Sequence, residues 1–248
     1  MYEQGGGMTL FASLFPIACW LLYNYCVPFV ERRQPSLSSI MTMQRRRWVA
    51  NATRRESPLD AILSGNLMQS VSLLASTSVL IILAIFAAFG AVPQLLETLN
   101  SLGLGHDVDT AAMQIHLLVL IAIFVSSFFA FTLSLRQFNH FCIMIGSISH
   151  AEPASEDEIE AITMLNALAA KNFNNGIRAY YFAVPAVTWF VSPWMAIGVT
   201  VLTTAFIVHR EFFSSAHRLA ASVAVIASRR EQQVGVKPAV SEKRGGGL

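Results

Sequence analysis

Four stretches of this chain run for more than twenty residues without a charged side chain: Met8 to Val30, Ala61 to Leu96, Thr110 to Leu135 and Ala179 to Val208. A helix rises 1.5 Å per residue, so about twenty apolar residues cross a hydrocarbon core of about 30 Å. Only 13% of the residues are charged and 54% are hydrophobic, against about 25% charged in soluble domains. The pattern excludes a disordered chain and argues against an ordinary soluble enzyme. It predicts an all-α integral membrane helix bundle with four transmembrane helices near 8–30, 66–92, 111–135 and 179–208. The first run reads as a retained anchor. It lacks a basic leader region, is long for a signal peptide, and no small-x-small cleavage site follows.

The expected organisation is a first span within 1–30, an Arg-rich loop at 31–65, and a three-helix membrane core at 66–214 that encloses the loop 136–178. A basic tail follows at 215–248. Pro185 and Pro193 interrupt the fourth run. A kink is the expected result, since neighbours re-satisfy the freed carbonyls in lipid, and a re-entrant hairpin is the alternative. Residues 31–60 hold seven arginines, 93–110 hold no Lys or Arg, 136–178 hold three and 209–248 hold seven. Four crossings place both termini with loop 93–110. The count of ten against seven favours an outside N-terminus and cytoplasmic loops 31–65 and 136–178, in a multi-pass protein of the cell inner membrane. The basic tail opposes that count unless the fourth run folds back. Residues 212–230 are expected to form a helix at the membrane surface, because Arg218 interrupts any fifth span.

Candidate site residues are few. Arg45, Arg46 and Arg47 beside a span suit anionic headgroups, and Trp48 is expected at headgroup depth. Glu152, Glu156, Asp157, Glu158 and Glu160 share a face with those arginines, so Glu–Arg pairing is expected. Ser155 and Glu158 have the spacing of a helix-capping box. Gln69, Ser72 and Ser76, continued by Ala84 and Ala88, form a stripe of the kind used for close helix packing in lipid. Cys19, Cys26 and Cys142 lack metal or disulfide spacing. His116 and His209 fall at one face under the four-span topology, but no ligand pair shares a helix. No cofactor, metal or nucleic acid is expected. No catalytic triad, phosphate loop or dinucleotide fingerprint is present, so no enzymatic activity is expected. The span interiors hold no Asp, Glu, Lys or Arg, which disfavours an ion-coupled carrier.

Five segments then combine. They are Asn-Leu-Met-Gln-Ser-Val-Ser-Leu-Leu-Ala-Ser-Thr at 66–77, Ser-Leu-Arg-Gln-Phe-Asn-His at 134–140, Asn-Gly-Ile-Arg-Ala-Tyr-Tyr-Phe-Ala-Val-Pro at 175–185, Trp-Phe-x-x-Pro at 189–193 and His-Arg-Glu-Phe-Phe-Ser at 209–214. In order and spacing the chain resembles, over about 40–214, the bacterial and plant membrane-protein family catalogued as domain of unknown function 599. The resemblance implies about four spans and no particular activity. It singles out Arg136, Asn139, His140, Arg178, Tyr180 and Tyr181. Arg136 and Arg178 are expected at the interface, where together they would grip a lipid phosphate or a partner carboxylate, and the tyrosines in an aromatic belt. The expected function is a non-catalytic accessory or assembly subunit that packs against a larger membrane complex, a homo-oligomer or anionic lipid. The alternative is a small transporter or channel with a hydroxyl-lined pathway.

Overall fold

The computed structural model describes residues 3–54, 59–104, 108–148 and 154–235. The described residues form eight helices and no strand: α1 (Glu3–Glu31), α2 (Leu37–Ala52), α3 (Leu59–Gly90), α4 (Val92–Ser101), α5 (Thr110–Gly146), α6 (Glu156–Thr188), α7 (Pro193–Phe212) and α8 (Ser215–Gly235). Local chemistry sets several starts. Ser36 caps α2 by accepting from the Ser39 N–H, and Asp109 caps α5 by accepting from the Ala112 N–H at 2.6 Å. The capping box at Ser155 and Glu158 opens α6 as the spacing predicts. Glu152 and His150 lie outside the described residues.

Four stretches are long and apolar enough to cross a membrane: Gly7–Glu31, Leu59–Gly90, Thr110–Gly146 and Pro193–Arg229. Their outer faces carry Leu73, Leu80, Leu83, Phe86 and Phe129, all well exposed. In water such a surface would drive aggregation; beside lipid tails it costs nothing.

The spine is α3, α5 and α6. Along α3, Ser64, Val71, Ser78 and Ile85 are buried seven residues apart, with Met68, Ala75, Ile82 and Phe89 half-buried between them. That alternation of four and three is a heptad seam. Val71 packs with Phe131 and Phe138 of α5, and Ile85 with Leu117 and Leu120, so the two helices run antiparallel. On the other side of α5, Ser127 Oγ donates to the Gly176 carbonyl at 3.0 Å and Ser134 Oγ to the Ala169 carbonyl at 2.8 Å. Serine hydroxyls stitch helices in lipid because the alternative partner is hydrocarbon. The approach is close at Gly176: a Cβ there would lie 2.5 Å from the Phe131 ring.

The fourth run departs from the expected kink. The chain leaves α6 through a turn at residues 189–192 and returns as α7. Ser192 is extended, as the residue before a proline must be, and Pro193 occupies the first turn of α7, where a missing N–H costs nothing. Pro185 stays inside α6 without ending it. Residues 179–208 are therefore two arms of a hairpin, not one crossing. The fourth apolar stretch begins at Pro193 instead.

The hairpin relocates the C-terminal segment. One end of the bundle, here the loop end, gathers the start of α1, α4, the start of α5 and the α6–α7 turn: Thr9, Ser13, His116, Ala186 and Trp189 meet there. The opposite, Arg-rich end holds α2, the start of α6 and α8, with His217 Nε2 at 3.0 Å from the Pro35 carbonyl. The described chain thus starts and finishes at opposite ends, which corrects the expectation that both termini lie with loop 93–110. α8 is a separate helix after a break at Phe213–Ser214, consistent with a helix over 212–230.

Candidate functional site

The Arg-rich end is assembled by α2 lying along α6. Its geometry starts where α1 stops. Past Glu31 the chain turns, and Ser36 both caps α2 and donates its hydroxyl to the Glu31 carboxylate. Asn174 Nδ2 of α6 then reaches Ser38 Oγ at 3.4 Å, and Arg45 Nη1 donates to Asn166 Oδ1 at 2.7 Å. Arg46 pairs with Glu156 and, at 3.4 Å, with Glu160. The expected pairing between the arginine cluster and the acidic run is present at Arg46. Burial pushes the Arg45 guanidinium below its ordinary range, since low dielectric disfavours the charged form. Arg47 is half-buried.

Deeper in the bundle the hairpin brings together the charges that flank its uncharged arms. Arg178 Nη2 of α6 lies 3.9 Å from Glu211 Oε1 of α7, and the two side chains are only 13% and 15% exposed. The guanidinium sits over the Tyr23 ring at 5.2 Å, and Glu211 also accepts from the Ser38 N–H at 3.3 Å. Beside this pair, α1, α2 and α6 enclose a crevice of about 450 Å³, lined on its polar side by Asn24, Glu31, Lys171, Asn174, Asn175 and Arg178.

The residues singled out in the sequence separate into three groups. Arg136, Asn139 and His140 are exposed on α5. Arg136 does not join Arg178. The Ser134–Ala169 bond places it near residue 167 of α6, about 16 Å along the axis from Arg178 at 1.5 Å per residue. Tyr180 is not in an interfacial belt. It bonds the Leu74 carbonyl at 3.2 Å and Ser78 Oγ at 3.1 Å, which pins α6 to α3, while Tyr181 accepts from Arg210. Trp48 likewise turns inward, donating to Asp60 and packing on Phe141 at 5.4 Å. Gln69, Ser72, Ser76 and Ala84 face outward, and Ala88 is half-buried. The helix-packing seam within the chain lies round the helix from that stripe. Ala84 and Ala88 border an apolar groove of about 550 Å³ closed by α4 and α5.

His116 and His209 fall at opposite ends. His209 leans on Phe213 near the Arg-rich end. His116 is fully buried at the loop end: Nε2–H donates to the Ala186 carbonyl at 2.8 Å, Nδ1 meets Ser13 Oγ at 3.2 Å, and the ring stacks on Trp189 at 4.0 Å. Trp189 Nε1–H in turn donates to the Thr9 carbonyl at 3.1 Å. Among the described residues no three His, Cys, Asp or Glu side chains cluster to hold a metal ion.

Sequence reasoning missed Lys171, Asn174, Asn175 and Glu211. A signal existed. Lys171, Asn172, Asn174, Asn175 and Arg178 are a polar run directly before an uncharged stretch with a proline near its middle, and Glu211 closes that stretch.

Fold and site together define an all-helical integral membrane bundle with a polar crevice at one end. The family model described as protein of unknown function DUF599 matches residues 11–216, and the chain belongs to that family. No curated protein and no solved structure matches it.

Proposed function

We propose that the protein is a non-catalytic accessory or assembly subunit of the inner membrane, one that docks sideways onto a membrane partner or a second copy through the outer face of α3. One observation carries this reading. Gln69, Ser72 and Ser76 are turned outward along a helix otherwise studded with leucine. A glutamine amide facing hydrocarbon loses its water partners at a cost of several kcal/mol on alkane-like scales. A neighbouring helix relieves that cost, and small residues let it approach closely.

The orientation draws on the fold. With the α6–α7 hairpin, the tail helix joins the Arg-rich end, and among the described residues the loop end carries no Lys or Arg. The conflict between tail and loops disappears, and the positive-inside rule favours a cytoplasmic Arg-rich end.

The test is photocrosslinking in native membranes from position 72 of α3, with position 129 of α5 as an outward control. A discrete adduct from 72 alone supports docking through α3. Equal labelling of lipid from both positions, with a monomer after mild extraction, overturns it. One observation favours a second reading, a small transporter: the mostly buried Arg178–Glu211 pair is the kind of group that ion-coupled carriers use. Solute flux into proteoliposomes that Arg178→Gln abolishes would establish that reading instead.

A further inference from the structure

The crevice between α1, α2 and α6 has no part in docking through α3, and its chemistry points elsewhere. Its two cations are incompletely used. Lys171 is exposed and makes no hydrogen bond or ion pair among the described residues. Arg178 spends its five N–H donors sparingly: Nη1 reaches Asn175 Oδ1 at 3.5 Å and Nη2 reaches Glu211 at 3.9 Å, both at or beyond the limit of a good hydrogen bond. Asn24 lines the same wall from α1. Unused cationic donors at this wall leave a place for an anion.

The depth is also distinctive. The apolar run of α1 ends at Glu31 and that of α7 ends just before Arg210 and Glu211. Glu31 lines the crevice and Glu211 borders it through Arg178. α1 therefore changes from apolar to charged at the Lys171 end of the crevice, where phosphate headgroups lie, and Arg178 sits deeper, over Tyr23. The rim supplies the other half of an amphiphile's needs: Val27 and Pro28 line the crevice from the end of the apolar run of α1, and Leu22 and Tyr25 are exposed further along that run toward the loop end.

We propose that this crevice seats the phosphate headgroup of an anionic phospholipid. Lys171 and Arg178 meet the phosphate, the asparagine amides and the hydroxyls of Ser38 and Ser39 satisfy the remaining oxygens, and an acyl chain runs from Pro28 along the exposed face of α1 into the hydrocarbon. Basic pockets between spanning helices recognise lipid headgroups in this way. The Glu31 carboxylate, held by the Ser36 hydroxyl, disfavours a polyanionic ligand in the crevice. The site differs from general attraction to the arginines of α2, because it requires a cation inside the crevice and not merely near the membrane.

The experiment uses the full chain extracted in a mild non-ionic detergent and titrated with dioleoylphosphatidylglycerol, with bound lipid read by native mass spectrometry. One lipid is retained per chain. Lys171→Gln lowers that retention about fivefold, the loss of one basic contact at a lipid surface. Arg136→Gln, which removes an exposed cation outside the crevice, leaves it unchanged. Lys171 has no partner to orphan, so its variant folds as the parent does. Equal loss in the two variants would reduce the effect to surface charge and overturn the proposal. So would retention of dioleoylphosphatidylcholine by the parent equal to that of dioleoylphosphatidylglycerol, which would mean an acyl groove without headgroup recognition. Displacement of the lipid by millimolar inorganic phosphate would mark a site for free phosphate and would overturn it too.

Discussion

At the loop end, His116, Ser13, Thr9 and Trp189 are buried together: the His116 ring meets the Ser13 hydroxyl and the Ala186 carbonyl, and Ser13 and Trp189 both donate to the Thr9 carbonyl. At the Arg-rich end, Arg46, Glu156 and Glu160 meet as full charges with half or more of each side chain in solvent. The first arrangement is rigid, aromatic and free of ionic groups. The second uses Coulomb attraction where water screens it. In the dry end a lost partner leaves a group with nowhere to turn, whereas in the wet end water replaces it. The loop end should therefore hold the helices in register, and the Arg-rich end should be able to open.

The sharpest break of that contrast is Trp189→Ala. It removes the stacking partner of His116, the bond to the Thr9 carbonyl and a fully buried indole from the hairpin turn. A loss of about 3–5 kcal/mol is expected, read as a fall in Tm of the detergent-solubilised chain. A change no larger than that of a surface variant would show that the loop end is not the rigid one.

Next comes Gly176→Ala, which tests the spine between the two ends. The new methyl group would meet the Phe131 ring well inside contact distance, and Phe131 is itself fully buried. Overpacking of this kind costs about 1–3 kcal/mol. Phe131→Leu in the same chain should recover part of the lost Tm, and absence of any recovery would mean that the clash is not the cause.

These two sites also mark how far the sequence could be read. Uncharged runs located α1, α3 and α5, because a spanning helix must exclude charge along its whole length. The same rule was blind to the α6–α7 hairpin. A turn made inside an uncharged run leaves no charge to mark it, and Pro193 alone reads equally well as a kink. Capping at Ser155 was legible because it depends on neighbours three residues apart. The Tyr180–Ser78 and Arg178–Glu211 contacts were not, because they depend on which way the chain turns at residues 189–192. The outward stripe on α3 shows the same limit. Small residues mark a face suited to packing, but not whether the partner is this chain or another.

At the wet end, Arg46→Ala should cost little. The pair is exposed on both sides, so the expected change is a few tenths of a kcal/mol and vanishes at high salt. Thermal unfolding at low and at high ionic strength measures it. A loss that persists at high salt would mean that Arg46 packs as well as pairs, and that the two ends are less different than their exposures suggest.

The smallest effect expected is a pH dependence at the start of α6. The Glu158 carboxylate accepts from the backbone N–H and the hydroxyl of Ser155, and these bonds hold it below its ordinary value of 4.5. A depressed folded value means that the carboxylate's contribution to the cap is present above the unfolded value and is lost as pH falls through the folded one. The window therefore lies below about pH 4.5. Glu158→Gln separates charge from capping, since a glutamine oxygen can still accept from Ser155. Amide hydrogen exchange in the first turn of α6 is compared between parent and variant at about pH 6 and about pH 3. Parent amides should be the better protected at the higher pH only. Glu156 and Glu160 are common to both chains, so their effect cancels in the comparison. A protection ratio that stays constant across the window would mean that the cap owes nothing to the charge of Glu158.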